Sequence, residues 1–304
     1  VNNQFKSLFK ITDEIVLGKE QEFKLALAAF FSNGHLLIED VPGVGKTTFA
    51  KLLAKSLGLE LSRIQFTSDL MPADIVGMQI YNQSTHQIDF FPGPIFSQIL
   101  LADELNRGNS KTQSALLEAM EEYQVTVDRK SYPLSKNFFV IATQNAREQI
   151  GTNPLPESQI DRFMMKIKLG YPKHEDEKKL ILKDNRDQQI KSLIPFFTKE
   201  QIESIISEIN DIHISPAIID YIMNLIQLTR TNQNFLPLSP RCGVDIVKAV
   251  KAFAYIEGEN KVVPDYVQQI LPSLVGHRLN PDRQANIEQE THLVHKLIQM
   301  VPLN

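Results

Sequence analysis

Residues 40–48, Asp40-Val41-Pro42-Gly43-Val44-Gly45-Lys46-Thr47-Thr48, lie between a short apolar run, HLLIE at 35–39, and an amphipathic stretch ending near Leu57-Gly58. These flanks predict a strand before the loop and a helix after it, the order in which backbone N–H groups can surround a phosphate at a helix N-terminus. Gly43 and Gly45 let the backbone crowd round the anion. The Lys46 ammonium is suited to the β- and γ-phosphate oxygens, and the Thr47 hydroxyl to Mg²⁺. Pro42, Val44 and Thr48 complete the nucleotide-binding stretch. Asp40 stands where the strict pattern has glycine, and an acid there repels phosphate unless its side chain points away.

A second signal closes the run SQILLADE at 97–104, which reads as a strand buried on both faces of a parallel sheet. An aspartate at such a strand end can hold Mg²⁺ through water, and the next residue, a glutamate, can polarise the attacking water; these are Asp103 and Glu104. Further strands are predicted at 61–66, 137–143 and 162–169, with helices at 19–31 and 111–122. Asn33-Gly34 ends the first helix, and a capping box of Ser110 and Gln113 starts the second, whose inward face holds Ala115, Leu116, Ala119 and Met120. Two hairpins are predicted, one over residues 81–90 and one formed by QVTV and KSYPL around Asp128-Arg129. Beyond Tyr171-Pro172 the pattern changes to charged amphipathic helix and then, from about Lys199, to helical periodicity with no strand. The expectation is an α/β parallel-sheet domain over residues 1–190, carrying both hairpins, followed by an all-helical domain over 191–304.

Composition narrows the function. With 42% hydrophobic and 22% charged residues the chain can bury enough apolar surface to fold. A net charge of −4 lacks the positive field that draws proteins to nucleic acid, so that partner class is disfavoured. Cys242 is the single cysteine, which excludes an internal disulfide and fits a reducing compartment. It reads as a small buried hydrophobe. His35, His86, His174, His213, His277, His292 and His295 show no metal-ligand spacing. The absence of an apolar stretch near 18 residues and of a signal-peptide pattern at the first residues points to a cytoplasmic protein without a membrane span.

The strings LIEDVPGVGKT, LLADELNR, ALLEAMEE, FFVIATQN and EQIGTNPLPESQIDRF together resemble the MoxR family of AAA+ ATPases, a helix-2-insert clade related to magnesium-chelatase and minichromosome-maintenance ATPase subunits. LSPR at 238–241 resembles the family's lid motif, and an aspartate at the position of Asp40 is usual there. The resemblance implies a P-loop NTPase fold, a three-layer parallel-sheet core with a helical lid, binding ATP or ADP with Mg²⁺. It implies that Asn145 is the sensor-1 amide facing the attacking water or γ-phosphate. It makes Arg162 the arginine finger, acting in trans on a neighbour's ATP, and Arg241 the sensor-2 residue, touching γ-phosphate in cis. Arg107 is either a second intersubunit cation or an ordinary helix-flanking arginine. The hairpins resemble the clade's helix-2 and pre-sensor-1 inserts, facing the axis of a ring.

Ala146, Arg147 and Asn153 depart from the family pattern. The implied activity is a chaperone-like ATPase, a homo-oligomer forming a hexameric ring, that remodels or matures a client, a protein bearing a von Willebrand factor A-type domain. Two other readings remain: a nucleotide-dependent scaffold with negligible hydrolysis, and a nucleic-acid motor. Against the motor, the hairpin at 81–90 contains no Lys or Arg, although the other contains Arg129 and Lys130.

Overall fold

The computed structural model describes residues 2–84, 86–145, 153, 155–182, 186–281 and 285–302. Two helices, α1 (Asn2–Ile15) and α2 (Glu20–Phe31), precede β1 (Leu36–Glu39) and α3 (Lys46–Leu57). Then come β2 (Leu61–Gln65), α4 (Pro72–Val76), the hairpin β3 (Gly77–Asn82) and β4 (Gln87–Pro92), and β5 (Ile99–Asp103). After α5 (Ser110–Glu122) follow the hairpin β6 (Gln124–Val127) and β7 (Lys130–Pro133), then β8 (Phe139–Gln144), α6 (Glu157–Ile160) and β9 (Met165–Ile167). The remainder is helical: α7 (His174–Leu182), α8 (Arg186–Ser192), α9 (Lys199–Asn210), α10 (Pro216–Thr231), α11 (Pro240–Glu257), α12 (Pro264–Leu279) and α13 (Ile287–Met300).

The central sheet is parallel throughout, in the order β2-β5-β8-β1-β9. Alternation along its strands feeds two apolar layers, because successive side chains point to opposite faces. Leu36, Ile38, Leu101, Ile141 and Ile167 face a layer that includes α2, α3 and the helices α9 to α13. Leu37, Leu100, Ala102, Val140 and Ala142 face α5 through Leu116, Leu117 and Met120. This is the three-layer α/β architecture with a helical lid that the motifs imply. Apolar packing is continuous across residues 190–191, since Ile190 and Ile202 share one core with Phe23 and Phe31 of α2.

Two local expectations are corrected. The cap of α5 is Asn109, whose Oδ1 accepts the Thr112 N–H at 3.1 Å, so Ser110 is already helical. Gln113 is 1% exposed and its amide donates instead to the carbonyls of Leu105 and Asn153, each at 3.0 Å. The last strand is also shorter than residues 162–169. The N–H groups of Arg162 and Phe163 turn back to carbonyls of Gln159 and Ile160, and only from Met165 does the chain pair with β1. The strands expected at 61–66 and 137–143, the helices expected at 19–31 and 111–122 and both hairpins lie within a few residues of those limits, whereas α1, α4 and α6 are not anticipated.

The hairpins touch each other. The rings of Phe90 on β4 and Tyr132 on β7 stack at 4.1 Å between centroids, and Phe96 meets Phe90 edge-on. The tight turn at Asp128 and Arg129 uses left-handed backbone at both positions, φ 48° and 67°, matching the twist of a two-residue hairpin loop.

At the head of β1, His35 is 3% exposed and wedged between α5 and β8. Its Nδ1 accepts the Val140 N–H at 3.0 Å, which leaves Nε2 to donate to the Met120 carbonyl at 3.2 Å. The ring is therefore neutral, and burial lowers its pKa to about 4, helped by the Arg241 charge and opposed by the bond to Met120. Burial likewise depresses His277, whose Nε2 contacts the Phe163 carbonyl. A depressed histidine pKa means that the unfolded chain binds the proton better, so stability is full above about pH 6.5 and is lost as pH falls toward 4. Between pH 7 and 5 the His35 contribution is expected to fall by about 2 kcal/mol. Urea unfolding at the two pH values measures it, and His35→Leu should flatten the difference by a similar amount.

Candidate functional site

The loop after β1 is built for an anion. Gly43 and Gly45 hold φ of 83° and 95°, and a Cβ at either would meet nothing within 4 Å. Glycine is required there for conformation, and the space stays open for a ligand. Gly45 precedes the first residue of α3, so the positive end of that helix, with its free N–H groups, opens into the cavity. That cavity, about 320 Å³, is lined by Pro42, Gly43, Gly45, Lys46, Thr47 and Thr48, and across from them by Asp103, Glu104 and Asn145. Val44 does not line it; its side chain packs on the core beneath the loop.

Asp40 does point away. It is 2% exposed, with Oδ1 accepting the Val41 N–H at 2.8 Å and Oδ2 accepting the Gly170 N–H just beyond β9. Its carboxylate thus fastens the loop to the neighbouring chain, and its carbonyl, with that of Gln144, receives the Lys46 ammonium at 2.8 and 3.2 Å. Burial lowers the Lys46 pKa, while the carboxylates of Asp40, Asp103, Glu104 and Glu39 act to raise it. The partly desolvated ammonium makes a strong partner for phosphate.

Asp103 closes β5, and Glu104 turns out of the strand with φ 54°. Thr143 on β8 governs this corner. Its hydroxyl donates to Asp103 Oδ1 at 2.6 Å and accepts the Glu104 N–H at 2.9 Å, fixing the left-handed turn that separates the two carboxylates. Glu104 Oε2 meets Arg107 at 3.0 Å, which assigns Arg107 a partner within this corner of the subunit. Asn145, which lines the cavity, is 7% exposed, and among the described residues its buried Oδ1 has no hydrogen-bond partner. The set fits a magnesium nucleotide: hard oxygen donors in Thr47 and Asp103, an open glycine cradle, and an orphan acceptor suited to a water proton.

Sequence reasoning missed three residues here. Thr143 lies inside an apolar strand, and nothing local distinguishes it from a structural threonine. Arg63 on β2 reaches Asp103 Oδ2 at 2.7 Å through a strand register in which Gln65 pairs with Asp103. Arg186, the first residue of α8, lines the cavity from the helical part of the chain.

Arg162 and Arg241 are brought together, but elsewhere. Arg162 Nη2 lies 2.9 Å from Glu121 Oε2 and Arg241 Nη1 lies 3.1 Å from Glu121 Oε1, at the end of α5. Both line a second cavity of about 620 Å³ with Lys136 and Lys248. Arg241, expected to contact γ-phosphate in cis, is not among the residues lining the loop cavity; it lies in the first turn of α11, after the Ser239 cap, with its guanidinium on Glu121 of α5. Ala146 and Arg147 lie outside the described residues, while Asn153 donates to the Gly108 carbonyl at 3.1 Å.

Two family models match parts of the chain. The model of the family described as "ATPase family associated with various cellular activities (AAA)" matches residues 35–165, and that of the "AAA lid domain" matches residues 231–297. An uncharacterised protein of Bacillus subtilis, YeaC, is 42% identical over 91% of this chain and 87% of its own length. Chaperone MoxR1 of Mycobacterium tuberculosis is 34% identical over 98% of this chain and 81% of its own. A crystal structure of a candidate ATPase from Cytophaga hutchinsonii superposes with a TM-score of 0.88 at 34% identity, covering 100% of this chain and 96% of that one.

Thr143→Val keeps the strand's shape and removes both hydroxyl bonds. Nucleotide turnover is expected to fall about tenfold or more, the worth of one hydrogen bond to a charged group, with ATP affinity changed less than about threefold. Steady-state kinetics beside an equilibrium ATP titration measures both.

Proposed function

Because the chain belongs to the MoxR family of AAA+ ATPases, we propose that it works as a ring of identical subunits, six in number, coupling Mg-ATP hydrolysis to the remodelling or maturation of a partner protein. One observation carries the assembly: the loop, both carboxylates and Asn145 share one cavity, while Arg162 and Arg241 are gathered on another face. Lys46 and Arg186 line the cavity, but these two further arginines stand apart from it, and a second copy of the chain would bring them to it. Arg162 and Arg241 then both act on a neighbour's nucleotide.

In this site Thr47 and, through water, Asp103 would hold Mg²⁺, which would neutralise charge on the β- and γ-phosphate oxygens. The N–H groups at the start of α3 and the Lys46 ammonium bind the phosphates. Glu104 accepts a proton from the attacking water, whose second hydrogen faces Asn145 Oδ1. Thr143 holds Glu104 in place, and Arg107 must release its carboxylate for that proton transfer. The incoming Arg162 and Arg241 offset the charge that develops on the transferring phosphoryl group.

A protein client is supported by the hairpins, which offer Tyr81, Ile88 and Phe91 to solvent at more than half their full exposure. The relative named as a chaperone supports the same direction. By family resemblance the client carries a von Willebrand factor A-type domain and meets the ring in the cytoplasm. No helix among the described residues is long and apolar enough to cross a membrane.

The test is ATP turnover against subunit concentration, with Mg²⁺, for wild type, Glu104→Gln and Arg162→Ala. Wild-type rate is expected to rise faster than linearly with concentration, and both variants to lose about a thousandfold or more, the range for an arginine finger. ATP binding without turnover at any concentration would instead make the protein a nucleotide-dependent scaffold.

A further inference from the structure

Arg278 lies near the end of α12, only 7% exposed, far along the chain from any residue of the nucleotide cavity. Its Nε is 2.9 Å from Asp161 Oδ1. Its Nη2 donates to the carbonyls of Asp161 at 3.0 Å and Phe163 at 3.2 Å, the two residues flanking Arg162. The same nitrogen reaches Asp245 Oδ2 at 3.0 Å, one helical turn beyond Arg241 on α11. One guanidinium thus binds both shoulders of Arg162 to the helix that carries Arg241. At the other end, the tips of the two arginines meet on the carboxylate of Glu121.

Such a buried network is a weak source of stability, because desolvating the charges offsets most of their attraction. It is a strong source of geometry. The carbonyls of Asp161 and Phe163 and the Asp245 carboxylate converge on Nη2 at the tip of the planar guanidinium, while Nε and Nη1 lack an aligned hydrogen-bond partner among the described residues; the shorter, rotatable lysine ammonium would have to draw those acceptors in to reach them. Segment 161–163 is held by turn bonds from Arg162 and Phe163 to Gln159 and Ile160 and not by a strand ladder, since pairing with β1 begins at Met165.

We propose that Arg278 is the positioning residue for the intersubunit cations: through Asp161, Phe163 and Asp245 it sets Arg162 and Arg241 side by side at the spacing one phosphoryl group requires. This rests on the reading in which both arginines act on a neighbour's ATP. Arg278 itself touches no nucleotide. Its loss leaves a subunit able to bind ATP and to be activated by others, but unable to activate its neighbour.

The experiment is complementation in mixed assemblies. Arg278→Lys alone is expected to lose about tenfold to a hundredfold in turnover, the effect of displacing a catalytic group by around 1 Å. ATP affinity, read by equilibrium titration, should stay within about threefold. Co-expressed in equal amounts with Glu104→Gln, which keeps its arginines but cannot hydrolyse, it should recover about a quarter of wild-type turnover, since half the sites can hydrolyse and half of those face intact arginines.

Arg162→Ala mixed with Glu104→Gln is the parallel control. Recovery in the control but not with Arg278→Lys, or full turnover by Arg278→Lys alone, overturns the role of Arg278. Absence of recovery in both mixtures overturns the trans reading on which it rests. If Arg278→Lys does not fold, Asp245→Ala, which removes one arm of the network, is put through the same mixtures and decided by the same outcomes.

Discussion

The level at which three adjacent parallel strands end is the constraint on which the rest of this molecule depends. Glu39 pairs with Gln144, and Ala102 with Ala142, so β1, β8 and β5 finish side by side. From that edge hang the phosphate loop, the Asp103-Glu104 corner and Asn145. Because the strands are buried on both faces, a slip of one residue would exchange the two core faces along a whole strand, and apolar packing therefore fixes the chemistry's register. Asp40 then ties the first of these strand ends to Gly170 beyond β9, closing the edge on its far side.

Buried charge links this edge to the helices. Lys166 on β9 stands between Glu39 at 3.1 Å and Glu290 on α13 at 2.9 Å, nearly out of contact with solvent. Burial raises the Glu290 pKa, and the Lys166 ammonium opposes that rise. Gly276 lets α12 approach closely, since a Cβ there would lie 3.2 Å from the Glu290 Cβ. The residue that introduces the loop is thus two side chains away from the last helix. A few residues further along α12, Arg278 does the same for the face that bears Arg162 and Arg241.

Much of this was legible in the residues. Strand, loop and helix around Lys46, the carboxylates after ILLA, both hairpins and the change to helix beyond Tyr171 all stand as predicted, because each is decided by periodicity or by groups a few positions apart. The doubt over Asp40 was legible as well, though its resolution needed Gly170. What escaped was less local. Ser110 and Gln113 have capping-box spacing, yet Asn109 one residue earlier took the cap once Gln113 was drawn inward to Leu105 and Asn153. Arg241 lies in a motif that implies a nucleotide contact in cis, but the fold places its guanidinium on Glu121 rather than in the lining of the loop cavity.

The amino-acid sequence by itself determined the local arrangement: a glycine loop with its lysine and threonine at a helix N-terminus, an aspartate beside a glutamate at a strand end, and a sheet buried on both sides. Such groups act through bonds and turns spanning a few residues, so local spacing encodes them. Only the tertiary structure decided which cations stand apart from the cavity, that Thr143 and Arg63 hold Asp103, and that Arg278 braces Arg162. These contacts join residues 33 to 120 positions apart, and the packing of α11, α12 and the sheet on one another, which no local pattern records, brings them within 3.2 Å.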